Sequence, residues 1–337
     1  MRTQKSAIMN KFKFYFIVLI TTFSLFSCSN NDTTAEITPP RDYTAQYTTE
    51  IADIETYLKT NFITVIDNPG FTDDQDVTIS KITAGEISIW DQTIYQLKSR
   101  EVNLHGVPYK VYYLVLRQGV GQSPSNADAV LASYNGSYLQ SSTMVTATQF
   151  EESKFPNQFF SLLGTIKGWG EIFPQFKTGN YNEHKENNIP DGTIDYTDFG
   201  AGVMFIPSGL AYFQNGPGSI PSYAPLVFSF KLYEIQRLDT DGDGILNDQE
   251  DLNGDGYMYD YRNLVNYPTT PSINPDDTDG DGIPNFVDID DDGDNYTTKL
   301  ELKKPDGTYH TFETVPSCSD QTVKRYLTAN CKPPYAQ

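Results

Sequence analysis

Histidine is scarce in this chain of 337 residues: there are three, His105, His184 and His310, too scattered to share a site. Each reads as a surface residue rather than a base. Cysteine is equally rare, with Cys28, Cys318 and Cys331. No second cysteine pair exists, and His310 is the nearest histidine to the last two, so a zinc site has too few donors. Neither a Gly-x-Ser-x-Gly elbow nor a glycine-rich phosphate loop occurs, which removes the usual serine-hydrolase and nucleotide-hydrolase machinery. Positive charge is short as well: 24 Lys and Arg stand against 44 Asp and Glu, a formal net charge of −20. That balance argues against a nucleic-acid partner. Long apolar runs are missing too. The one near the start, Phe12 to Phe26, falls short of the ~20 residues that span a bilayer.

That short run follows Arg2, Lys5 and Lys11 and is broken only near its start by Lys13, the layout of a secretory leader. It ends in LFSC, and a leucine three residues before a cysteine resembles the lipobox of bacterial lipoproteins. The resemblance implies a leader over 1–27, acylation of Cys28 and an outer-membrane anchor, facing either the periplasm or the cell surface. The polar stretch SNNDTTAEITPPRDYT then reads as a tether, over 28–44. In an exported chain the two remaining thiols, Cys318 and Cys331, suggest a single disulfide closing a small cap over 302–337.

The negative charge is local. Between Asp239 and Asp294 there are seventeen acids and one base, Arg262. DTDGDGILNDQE has the order of a twelve-residue calcium loop. Asp239, Asp241 and Asp243 fall at positions 1, 3 and 5, Gly244 at the turn, the Ile245 carbonyl at 7, Asn247 at 9 and Glu250 at 12. The pattern recurs from Asp251, with Asn253 and Asp255 but Arg262 in the closing place. It recurs again from Asp277, with Asp279, Asp281 and closing Asp288. The last copy starts at Asp290, with Asp292, Asp294, Asn295 at the turn and Glu301 last. Pro268, Pro271, Pro275 and Pro284 interrupt the region, so paired helix–loop–helix sensors are excluded. The segment 239–301 resembles thrombospondin type 3 repeats, which implies structural calcium in an extended stalk.

The middle of the chain reads as strands and one short helix. YKVYYLVLRQGVGQSP is a strand and turn, ADAVLASYNGSYL a strand ending in a turn, and GVMFIPSGLAYF and PLVFSFKLYEI are later strands. IKGWGEIFPQF starts a helix that Pro174 cuts short. This is an α+β pattern, a helix packed on one antiparallel sheet. Upstream, over 45–104, TTEIADIETYLKTNF has helical apolar spacing, and DVTISKI and EISIWDQTIYQLK are strand-like. That stretch reads as an N-terminal extension packed on the domain.

Six short motifs occur in order over about 105–236: Tyr-x-Gly, Phe-acid-x-Ser, Ile-x-Gly-Trp, Ile-Pro-x-x-x-Ala-Tyr, Ile-Pro and Leu-Val-Phe. In that order they resemble FKBP-type peptidyl-prolyl cis-trans isomerases. The resemblance implies a pocket with Trp169 as its floor and Tyr134, Phe150, Phe159 and Ile220 as walls, with Phe228 at the back. It also implies that Tyr212 offers a hydroxyl, the Ile166 N–H meets a substrate carbonyl, and Glu151 stands where the family usually has aspartate. Phe213 replaces a glycine that commonly follows the pocket tyrosine. An insertion between Gly179 and Gly202, NYNEHKENNIPDGTIDYTDFGA, reads as a flap or surface loop. The implied activity is isomerisation of X-Pro bonds in exported, proline-containing polypeptides, with no catalytic cofactor. The alternative is an FKBP-fold chaperone or binding module with little catalysis.

Overall fold

The computed structural model describes residues 39–337 apart from 142–143, 187, 319–321 and 334–337, so the leader, Cys28 and most of the tether lie outside the described residues. Helix α1, Tyr43–Thr60, begins where the Asp42 carboxylate accepts the Ala45 N–H, and it ends at Asn61, which turns extended. Strands β1 (Asn61–Val65) and β2 (Val77–Lys81) pair antiparallel behind it. The stretch 86–96, expected to be strand-like, forms turns instead. Its Ile89 is buried, and the backbone bonds of Ile89 and Trp90 go to Asn61 and Leu58.

The main sheet is antiparallel throughout. It is built from β3 (Leu97–Leu104), β4 (Val107–Arg117), β5 (Ala129–Ser141), β6 (Val145–Ser153), the two-residue β7 (Phe160–Ser161), β10 (Gly200–Ile206) and β11 (Leu226–Gln236), in the order β3-β4-β10-β11-β5-β6, with β7 also on β5. Strand alternation gives it two apolar faces. Val111 and Tyr113 of β4, Met204 and Ile206 of β10, and Phe228 and Phe230 of β11 meet helix α2, Lys167–Ile172. Tyr112, Leu114, Val203, Phe205 and Val227 point the other way, onto Ile54, Tyr57 and Leu58 of α1. Helix α2 lies so close to β10 that a Cβ at Gly168 would stand 2.6 Å from Ile206 Cγ2.

Three further expectations change, and the insertion takes a definite form. Strand β3 belongs to this sheet, so the domain starts near 97 rather than 105. The YNG motif is no turn: β5 runs straight through it, with a bulge at Gly136/Ser137. The insertion is a hairpin of β8 (Asn180–Glu186) and β9 (Ile189–Thr197). The acidic region is not an extended stalk. Residues 41–337 form one compact unit. In it the acidic loops fold back around two small apolar clusters, one of Ile245, Leu302, Val315 and Tyr326, the other of Ala127, Met258 and Phe286. The cluster containing Ala127 ties them to the sheet domain, and the Asn126 side chain clamps Met258 by both its N–H and its carbonyl at 2.8 and 2.9 Å. The last copy of the repeat runs into helix α3, Thr298–Glu301, and beyond it Cys318 is joined to Cys331, their Cα atoms 6.1 Å apart.

Candidate functional site

A cleft of about 440 Å³, lined mainly by aromatic rings, opens between α2 and strands β5, β6 and β11. Trp169, on the first turn of α2, is 5 % exposed and forms its floor. Its indole is boxed edge-on by Tyr134 at 5.1 Å, Phe173 at 5.2 Å, Phe228 at 5.4 Å and Phe160 at 5.7 Å, an arrangement aromatic rings favour. The indole N–H is buried and donates to nothing among the described residues. Register explains how the rings converge. Phe228 of β11 pairs with Gly136 of β5, and Gly136 pairs with Glu151 of β6. A Cβ at Gly136 would lie 2.7 Å from the Phe150 ring and 2.8 Å from the Phe228 ring, so the bare glycine lets both rings close over the strand.

The cleft therefore brings together Tyr134, Phe150, Glu151, Ile166, Trp169, Tyr212 and Phe228. Phe159 does not line it. Pairing of Phe160 with Val130 turns Phe160 inward, and the alternate residue, Phe159, faces out. Ile220 is buried in the core under the Gly/Pro-rich loop rather than on the cleft wall. Gly164, Thr165, Lys167 and Ala211 also line the cleft and have no counterpart among the expected residues. Around the rim, burial first, then the charge of nearby Glu151, pushes the Tyr134 phenol up to about 12. Burial and Glu151 raise the Tyr212 phenol as well. Both hydroxyls stay protonated donors at any physiological pH. The Ile166 N–H, at the head of α2, makes no backbone hydrogen bond among the described residues.

The loop that carries Tyr212 is held from α1. Glu50, 2 % exposed, accepts from the Ser208 N–H and hydroxyl and from Gln46. Phe213 follows Tyr212 with φ of 49°, a conformation glycine adopts without strain. Its ring is clamped by Tyr43 at 4.1 Å and Tyr223 at 4.9 Å, which holds the unfavourable backbone in place.

Beneath the cleft, α2 is bound to the acidic region. Glu171 is fully buried and takes Arg100 Nε at 3.0 Å, Lys167 Nζ at 3.2 Å and the Tyr259 hydroxyl at 3.1 Å. Tyr257 donates to the Glu171 carbonyl, and the Arg100 guanidinium lies 3.4 Å from the Tyr257 ring centroid.

In the acidic loops the carboxylates bend the chain through their own backbone N–H groups. Asp239 takes Gly242 and Gly244, Asp251 takes Gly254 and Gly256, and Asp277 takes Gly280 and Gly282. Asn295 holds the left-handed turn of the last loop, φ 74°, in place of glycine. Asp239/Asp241/Asp243, Asp277/Asp279/Asp281 and Asp290/Asp292/Asp294 each bring three carboxylates close enough to share a cation. Asn247 is not placed as a ligand: its amide donates to the Ala127 carbonyl and Thr240 hydroxyl, and its oxygen accepts the Thr240 N–H. Asp276, 1 % exposed, packs beside Asp251 and Asp255.

A family model described as BamM C-terminal matches residues 240–325. The chain is also similar to FKBP-type peptidyl-prolyl cis-trans isomerases. It is 30% identical over 133 residues to the isomerase FkpA of Aeromonas hydrophila, which is 39% of this chain and 40% of that protein. To the isomerase Mip of Coxiella burnetii it is 29% identical over 128 residues, 37% and 44% of the two chains. To FkpA of Escherichia coli K12 it is 28% identical over 126 residues, 37% of each. The chain thus spans about two fifths of the length of the curated relatives it matches. Among solved structures, an isomerase of Pseudomonas syringae aligns at 24% identity and TM-score 0.28, over 38% of this chain and 76% of that one. FkpA of Escherichia coli aligns at 26% identity and TM-score 0.28, over 37% and 48%.

Proposed function

We propose that this protein is a peptidyl-prolyl cis-trans isomerase acting on exported polypeptides, and that the Trp169 cleft is its active site. The observation that carries the reading is the convergence of Trp169, Tyr134, Phe150, Phe228 and Tyr212 on one open aromatic cleft, within a chain similar to FKBP-type isomerases over about 130 residues. An X-Pro bond turns slowly because amide resonance sets a barrier of about 18–20 kcal/mol. Water stabilises the planar, charge-separated amide, so a dry aromatic cleft favours the twisted form, in which that charge is lost. The proline ring packs on the Trp169 floor. The Ile166 N–H and the Tyr212 hydroxyl donate to substrate carbonyls on either side of the turning bond and hold one end while the other rotates. No proton is transferred.

A flat pH profile follows. No step needs a group that titrates near neutrality, and the Tyr134 phenol, near 12, keeps its proton. Acceleration of prolyl isomerisation in a short X-Pro peptide by the full chain should change less than about twofold from pH 6 to 9. A bell-shaped profile would point to general acid–base chemistry instead. Were the folded chain to give only the solvent rate, the second reading, a binding module without catalysis, would replace this one.

The acidic loops are proposed to hold calcium as a structural ion. Clustered, partly buried carboxylate oxygens without hydrogen-bond partners suit a hard cation of six to eight oxygen ligands. The candidate ligands are Asp239, Asp241, Asp243, the Ile245 carbonyl and Glu250, then Asp251, Asn253 and Asp255, then Asp277, Asp279, Asp281 and Asp288, and Asp290, Asp292, Asp294 and Glu301. The ion supplies charge neutralisation and loop closure and takes no part in isomerisation. Anchoring to the outer membrane through an acylated Cys28 is proposed from the LFSC motif. Cys28→Ser is then expected to move the protein from the membrane fraction to the soluble one; unchanged partitioning would remove the anchor.

A further inference from the structure

A residue of the last acidic loop, Asp291, lies against the first. We propose that Asp291 is a ligand of the cation held by Asp239, Asp241, Asp243 and Glu250, so that one ion staples the two ends of the acidic region together. The proposal rests on the cation reading above and deepens it.

Asp291 lies forty-eight positions beyond Asp243, yet ligand oxygens of Asp243, Glu250 and Asp291 all fall within 4.8 Å of one another. The three side chains are 3 %, 1 % and 1 % exposed. Both oxygens of Glu250, and the Oδ2 atoms of Asp241 and Asp243, are buried with no hydrogen bond. Both oxygens of Asp291 are likewise buried without a well-formed hydrogen bond, with the Thr298 hydroxyl beside the carboxylate. The Tyr326 hydroxyl, from the C-terminal cap, is also buried and unpartnered, next to the same three acids. Lys299 is the nearby cation, and its Nζ is bound to the Gly242 carbonyl at 2.7 Å. Burial of ionised carboxylates in one spot is costly unless a cation neutralises them.

The neighbours of Asp291 have other tasks. Asp290 accepts from Asn295, Asp292 from Asp294 and Thr328, and Asp294 from Tyr296, all backbone N–H groups of their own loop or the cap. Asp291 alone of the four turns toward the first loop. With three monodentate aspartates, the Ile245 carbonyl, a bidentate Glu250 and Asp291, the donor set reaches the seven oxygens that calcium favours.

The test compares the full chain with its Asp291→Asn and Asp291→Ala variants by calcium titration calorimetry and by thermal melting in calcium and in chelator. The expected result is loss of one tight calcium per chain, or its weakening by about tenfold or more, in Asp291→Ala. Melting should cross over. Asp291→Asn melts lower than the parent in calcium, where a charged ligand is missing, and higher in chelator, where a like charge has been removed from the cluster. A variant less stable under both conditions would overturn the assignment and leave Asp291 a packing residue. So would a variant that binds the same number of ions with the same affinity. If the parent chain itself binds no calcium, the cation reading fails first, and that result is distinct from either.

Discussion

Trp169→Ala is expected to bring prolyl isomerisation down to the solvent rate. The indole forms the floor of the cleft, the largest aromatic face on which a proline ring can stack, and four aromatic neighbours are set edge-on to hold it in place. Truncation removes that surface and opens the floor of the cleft to water, which restores stabilisation of the planar amide. The same change takes away a buried aromatic and costs about 3–5 kcal/mol of stability. Melting must therefore be followed alongside the rate. Trp169→Phe separates the two effects, because it keeps an aromatic in the box: it should fold and lose part of the rate. Full activity in a folded Trp169→Ala protein would place the reaction elsewhere.

Glu171→Ala is the second large effect. Glu171 is the completely buried member of a cluster whose other charges, Arg100 and Lys167, are each about a quarter exposed. Its removal leaves two like charges facing each other with no counter-ion, and it breaks the bond to Tyr259. A loss of about 3 kcal/mol is expected, read as a lower urea midpoint, with easier proteolysis of the acidic region because Tyr259 is one of its anchors on α2. Tyr259→Phe should cost less, about 2 kcal/mol, because its hydroxyl donates to the Glu171 carboxylate and accepts from Arg100 Nη2. Equal midpoints for Glu171→Ala and the parent would show that the cluster does not tie the two regions.

Seven of the nine expected cleft residues line the cleft, and each was implied by the family resemblance of a short motif rather than by its local context, which misled at Tyr134, where the expected turn is a continuous strand. The two that moved sit where local pattern is weak. Phe159 and Phe160 are adjacent, and only pairing of the two-residue β7 with β5 decides which ring turns inward. Ile220 lies in a Gly/Pro loop without periodicity, and packing alone buries it. Lys167 gave no signal, because its role depends on Glu171 and on Tyr259, ninety-two residues downstream. The acidic region was misread for a related reason. Prolines and repeated turns suggest extension, but Ile245, Met258, Phe286, Leu302, Val315 and Tyr326 are spaced singly, and only the folded-back chain gathers them into cores. Asp291 was hidden in the same way: inside the loop it occupies a non-ligand position, and its use appears only when the first and last loops meet.

The cleft is expected to catalyse bond rotation itself. Exchange NMR on a proline peptide, mixed with a small amount of the full chain, measures that rotation without a coupled enzyme. The expected result is cis–trans exchange far faster than the uncatalysed tens of seconds, together with resonance shifts of Trp169, Tyr134 and Tyr212 on adding peptide. Exchange at the uncatalysed rate with a folded protein, or acceleration that leaves those three residues unmoved, would contradict it.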